Sequence, residues 1–232
     1  MADRTCVITG ASRGIGLATA MRFASRGCHI VAVARGETDL RQALEQLRAT
    51  GAECEAVAAD VGRRDGAKRA IDLTCERFGR VDLLVNNAGA APLAPIDELL
   101  TEDFERAVAT NIAGVFHMTQ IAWPVLKSQE GGTIVNISSA ASLDPFPGFA
   151  VYGACKAWVN IFTKATAAEG KPLGIRVFGV APGGVETEMF RERFPDYPAE
   201  HVLKPDDVAG LIEAVCDPRM NYVSGETIFI RK

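Results

Sequence analysis

Short apolar runs of strand length take turns with longer helical patterns from one end of this chain to the other. The runs fall at 5–9, 29–34, 53–58, 81–86, 133–138, 175–180 and 226–230. The helical patterns fall at about 15–25, 39–50, 66–78, 101–128, 152–169 and 205–216. A strand joined to the next through a helix predicts a parallel pair, because a parallel neighbour needs a crossover connection and not a hairpin. Helices then cover both faces of the sheet. A looser segment opens at Pro182, Gly183 and Gly184 and runs to about Lys204, with Pro195 and Pro198 inside it. No repeat, low-complexity tract or dividing linker interrupts the order, so the chain reads as one α/β domain over residues 1–232.

Residues 9–16 read TGASRGIG, directly after the first run and directly before a helix. Gly10, Gly14 and Gly16 allow a tight turn and a close approach of backbone to a ligand. The helix that begins there aims unpaired N–H groups and its positive dipole end above the sheet edge, a field that suits a pyrophosphate. A glycine-rich turn that only packs helix on strand is the ordinary alternative. A carboxylate about 20 residues past such a loop selects NAD by holding the ribose 2′-hydroxyl. At the end of the second run this chain has Ala34 and then Arg35, with Arg13 inside the loop. Two guanidinium groups suit a 2′-phosphate, so the expected cofactor is NADP(H). A solvated arginine at a strand end is the alternative for Arg35.

Tyr152 and Lys156 stand in YGACK, four residues apart and so on one helix face. A lysine cation beside a tyrosine favours the phenolate and lowers the phenol pKa, which predicts a usable general acid/base. Ser139 lies in NISSAAS at the carboxyl end of the fifth run, where open α/β sheets bind ligands. Read singly, a Tyr/Lys pair is a helix surface and a serine after a strand is a cap. Their joint placement at one sheet edge is what points to chemistry.

These segments, TGASRGIG, NNAG (86–89), TNIAG (110–114), NISS (136–139), YGACK and APGGVET (181–187), resemble in content and order the short-chain dehydrogenase/reductase family over essentially the whole chain. The resemblance implies a doubly wound, Rossmann-type sheet of about seven parallel strands. It makes Tyr152 the acid that protonates a carbonyl oxygen as hydride arrives from the nicotinamide. Lys156 then holds the nicotinamide ribose, Ser139 is the catalytic serine thirteen residues before Tyr152, and Asn111 holds a water in a proton relay. Cofactor contacts are expected from Gly10, Ser12, Arg13, Gly14, Ile15, Gly16 and Arg35, then from Asp60 and Val61 at the adenine. Further contacts are expected from Asn87, Ala88 and Gly89, from Tyr152 and Lys156, and from Pro182, Gly183, Val185 and Thr187 near the nicotinamide. No metal is expected. Phe178 stands where relatives often carry Asn, and the ending SGETIFIRK stops short of the tail that many relatives add. A homo-oligomer is expected, either the family's tetramer or a dimer built on the two long helices.

Net charge is −4, which invites neither nucleic acid nor an anionic membrane surface. The start, MADRTCVITG, moves into a strand and not a signal sequence, and six scattered cysteines without a CxxC pair suit a reducing compartment, so a cytoplasmic protein is expected. Substrate contacts are expected from Asp144, Phe146, Phe149, Met189 and Phe190 and from a charged, solvated loop at about 188–204. The aromatics suit an apolar pocket or simple core packing equally. Two functions follow: an NADPH-dependent reductase of a ketone or 3-oxoacyl group, or a non-catalytic NADP-binding regulator that kept the fold. Retention of Tyr152, Lys156, Ser139 and Asn111 together favours the enzyme and a small carbonyl or alcohol substrate.

Overall fold

The computed structural model describes residues 3–232; Met1 and Ala2 lie outside the described residues. Seven strands alternate with eight α-helices among them. The strands are β1 (Thr5–Thr9), β2 (His29–Ala34), β3 (Cys54–Ala58), β4 (Leu83–Asn86), β5 (Gly132–Ile137), β6 (Ile175–Pro182) and β7 (Thr227–Ile230). The helices are α1 (Gly14–Ala24), α2 (Glu37–Arg48), α3 (Arg64–Phe78), α4 (Thr101–Val108), α5 (Gly114–Ser128), α6 (Ala150–Gly170), α7 (Glu188–Arg193) and α8 (Pro205–Val215). All strands are parallel in one sheet of order β3-β2-β1-β4-β5-β6-β7. This is the doubly wound Rossmann-type domain.

Alternation along each strand builds two cores. Cys6 and Ile8 of β1 pack with Phe23 of α1 and Ile212 of α8 on one face. Val7 packs with Ile71 of α3 and with Met118 and Leu126 of α5 on the other. Burial of this apolar surface from both sides fixes strand register, since a slip of one residue would exchange the two sets. Phe178 is one of the largest fully buried side chains, so the position that departs from the family pattern is a core position. No helix among the described residues is long and apolar enough to cross a membrane.

Two elements differ from expectation. The single helix predicted over 101–128 is two helices joined by a π turn at Ala109–Ala113. The buried Asn111 amide donates to the Ala107 carbonyl one turn back and to the Ala90 carbonyl, so a side chain takes over bonding that a regular helix leaves to backbone. The loose segment also contains a short helix, α7, where Thr187 Oγ1 accepts the Phe190 N–H as its N-cap.

Candidate active site

Strand order reverses between β1 and β4, so the connections leaving these two strands pass to opposite faces and open a crevice at their carboxyl ends. A cavity of about 880 Å³ occupies it, running from Arg35 past the glycine loop to Tyr152 and the residues of α7. Gly10 and Gly14 take left-handed φ values of 65° and 56°, which side chains resist. Arg13, the N-cap residue of α1, offers no side-chain cap, and the first turn holds no acidic residue. The N–H groups of that turn are therefore left for an anion in the cavity. The uncapped helix end and the long cleft fit a dinucleotide. Every cofactor-binding residue expected from the sequence lines this cavity except Gly16. Gly16 is buried, and a Cβ there would stand 2.2 Å from the Gly10 carbonyl oxygen, so it seats α1 under the loop.

Several of these residues also hold the cleft in shape. The Asn87 amide donates to the Thr9 and Gly10 carbonyls at 2.9 and 3.2 Å, and Thr9 Oγ1 accepts the Asn87 and Ala88 N–H groups. Together they tie the end of β1 to the end of β4. Asp60 Oδ1 accepts the Gly62 N–H at 3.0 Å and shapes the turn after β3. At the far end Arg35 is exposed, and Arg13 reaches across to Glu188 at 2.5 Å.

Ser139, Tyr152 and Lys156 meet on the wall beyond the glycine loop. The Tyr152 phenol is hydrogen-bonded to the Ser139 side chain, and Ser139 Oγ also accepts the Ala141 N–H. Lys156 is buried, donates to the Ile137 carbonyl at 2.8 Å, and lies 5.7 Å from the centre of the Tyr152 ring. Burial pushes the Tyr152 phenol above its ordinary value of 10.0, with the Ser139 hydrogen bond pulling the other way. The expected lowering by Lys156 is thus not what this site shows. The physical reason is shared burial: Lys156 is itself driven down from 10.5 to about 8 by loss of solvation. Asn111 does not reach the cavity. It sits behind Gly89, where an added Cβ would meet Asn111 Oδ1 at 3.2 Å and Lys156 Nζ at 3.8 Å.

Sequence reasoning passed over four residues that shape the site. Thr9 is one. Buried Ser138 donates to the Lys156 carbonyl at 3.0 Å and so anchors α6 to β5. Phe194 and Tyr197 lie in the segment read as a solvated loop, yet both line the cavity, and Val202 and Leu203 beyond them are buried. The apolar spacing of Phe190, Phe194 and Tyr197 was the available signal.

Comparison with known proteins agrees with this geometry. The sequence model of the family described as short chain dehydrogenase matches residues 4–198. The chain is 34% identical to the 3beta-hydroxysteroid dehydrogenase 1 of Eggerthella lenta, covering 98% of this chain and 92% of that protein. Its fold matches the 3-ketoacyl-(acyl-carrier-protein) reductase of Brucella melitensis complexed with NADH, with a TM-score of 0.91, 31% identity and coverage of 99% and 97%. It also matches the L-sorbose reductase of Gluconobacter frateurii complexed with NADPH and L-sorbose, with a TM-score of 0.92, 28% identity and coverage of 100% and 96%. The chain belongs to the short-chain dehydrogenase family of oxidoreductases.

Proposed function

We propose that this chain is an NADP(H)-dependent oxidoreductase that interconverts a ketone, or a 3-oxoacyl group, and a secondary alcohol, with Tyr152 as general acid/base. The observation that carries the reading is the meeting of Tyr152, Ser139 and Lys156 on the wall of a cleft that starts at an uncapped helix end. The α1 terminus with Gly10, Ser12, Gly14 and Ile15 holds the pyrophosphate, and Arg35 and Arg13 the 2′-phosphate. Asp60 and Val61 take the adenine, Asn87, Ala88 and Gly89 its ribose, and Pro182, Gly183, Val185 and Thr187 the nicotinamide end.

When bound, the reduced nicotinamide supplies a hydride to the carbonyl carbon and is left oxidised. Tyr152 gives its phenolic proton to the carbonyl oxygen, and Ser139 steadies that oxygen beside it. A phenol raised by burial keeps its proton at neutral pH, the state that reduction needs. Lys156 holds the ribose hydroxyls, and Asn111, behind Gly89, keeps the π turn that backs the lysine. Residues at about 188–204 form the substrate loop.

Relatives are known with either cofactor, so the choice rests on this chain's own cations. Arg13 must exchange Glu188 for phosphate, and that exposed pair is worth little. Arg35 carries the larger share. Arg35→Asp is expected to lower kcat/KM with NADPH about a hundredfold, the scale of two charge-assisted hydrogen bonds replaced by repulsion. NADH turnover should hold or rise. Initial rates with each cofactor test this, and an unchanged NADPH preference would remove the phosphate role from Arg35.

The expected self-association also has a surface. Phe104 on α4, Phe116 on α5 and Ile161 on α6 are exposed apolar groups on the two long helical segments, Ile161 at 70%. We infer that these groups belong to the contact of the expected homo-oligomer. Ile161→Asp is expected to convert a dimer to a monomer in light scattering, and an unchanged mass would move the interface elsewhere.

A further inference from the structure

The substrate half of the cleft is built from aromatic rings. Tyr152 packs on Phe149 at 5.2 Å between centroids, and Phe149 meets Phe194 edge-on at 5.9 Å and 86°. Phe194 continues to Phe146 at 6.2 Å and to Phe190 at 5.1 Å, and Phe190 meets Tyr197 edge-on at 5.5 Å. Six aromatic residues thus form an unbroken chain of contacts, in a protein with only 11 Phe, 3 Tyr and 2 Trp. They come from two separate segments, before and within α6 and within and after α7, and all six line the cavity. Gly184 makes room for one wall, since a Cβ there would stand 2.9 Å from the Phe190 ring.

Apolar groups also stand exposed along the cavity. Phe146, Met189 and Tyr197 are 59%, 37% and 42% exposed. Lone apolar groups on a surface are ordinary, but a set gathered along a cleft marks the body that enters it. The two lid arginines do not serve an anion there. Arg191 pairs with Glu186 and donates to the Tyr197 carbonyl, and Arg193 donates to the Ala91 carbonyl and pairs with Glu192. Asp144 adds a negative charge to the same cavity.

We propose that the substrate is an uncharged ketone carrying a flat aromatic ring, whose ring lies against the wall made by Phe149 and Phe194 and delivers its carbonyl to Tyr152, and not an acyl group carried on a charged thioester. This rests on Tyr152 being the proton donor and narrows that reading to one substrate class. Faces and edges presented at right angles favour an aromatic guest over a saturated one of the same shape, because ring edges are positive and ring faces negative. The chemical step is unchanged: hydride adds to the carbonyl carbon, and the Tyr152 proton goes to the oxygen.

The test uses the intact protein with NADPH and three probes: beta-tetralone, the saturated trans-decalone, and acetoacetyl coenzyme A. The expected result is a kcat/KM for beta-tetralone about tenfold above trans-decalone, the scale of one or two favourable ring contacts, with the thioester lower still. In Phe194→Leu the KM for beta-tetralone should rise about tenfold and the preference over trans-decalone should disappear. Equal use of the two cyclic ketones, a thioester that matches or exceeds beta-tetralone, or an unmoved KM in the variant would each overturn the proposal. If none of the probes turns over, the reductase reading fails first, and calorimetry on the NADPH-treated protein decides the substrate class separately. Selective binding of beta-tetralone supports it, and equal binding or no binding of the two ketones overturns it.

Discussion

Tyr152→Phe is expected to lower kcat for ketone reduction by about a thousandfold, within the usual reach of a positioned proton donor. The change removes one oxygen and keeps the ring, so the contact with Phe149 at 5.2 Å survives and the aromatic wall stays in place. What disappears is the proton that must reach the carbonyl oxygen as hydride arrives, together with the Ser139 hydrogen bond. The uncapped end of α1, the glycine loop and Arg35 lie farther along the cleft, so NADPH affinity by calorimetry should stay within about threefold. That division separates the two functions open from the sequence. Reductase activity that vanishes while cofactor binding stays identifies an enzyme. A variant with wild-type kcat would take Tyr152 out of the chemistry, and one with wild-type function in the cell would favour a nucleotide-binding regulator.

The fold was legible because each of its determinants is local. A buried parallel strand is an apolar run, as in TCVIT, and a crossover helix is a periodic stretch ended by a glycine such as Gly79, which takes a left-handed φ of 71°. The glycine loop was legible for the same reason, since left-handed backbone selects the residue type at Gly10 and Gly14. The π turn was not, because ATNIA carries no glycine or proline and its cause is a bond from Asn111 to Ala90, 21 residues away. The direction of the Tyr152 shift was also hidden. It depends on how much water the folded walls remove from Tyr152 and Lys156 together, and spacing along a helix does not report that. Phe194 and Tyr197 were lost among the charges of their segment. Only folding shows that Arg191 and Arg193 bond back to the chain while the rings beyond them face the cleft.

Lys156→Met is expected to abolish most activity and, at neutral pH, to stabilise the protein. Lys156 is 3% exposed, and its value falls from 10.5 to about 8 because burial penalises the ammonium. The sign follows from proton counting. Between about 8 and 10.5 the native state holds fewer protons than the unfolded chain, so stability rises with pH across that window. Below it both states are protonated, and the folded protein carries a constant cost of up to about 3 kcal/mol. Methionine keeps the length of the side chain and removes the charge. It also gives up the bond to the Ile137 carbonyl, worth about 1 kcal/mol. The net gain at neutral pH is therefore about 1–2 kcal/mol, or a Tm higher by several degrees (about 2–4 °C per kcal/mol at this size). Above the window wild-type Lys156 is neutral in both states, so the gain should vanish and the lost hydrogen bond should leave the variant slightly the weaker. Reductase activity should fall at least about a hundredfold, the lower end of the acid–base range, because no cation remains beside Tyr152. Thermal melts at neutral and high pH check the first half, and initial rates check the second. A variant that melts lower than wild type at neutral pH would mean that Lys156 is a structural residue. A stabilised and inactive one would mean that the fold tolerates a buried charge at this position because the chemistry requires it.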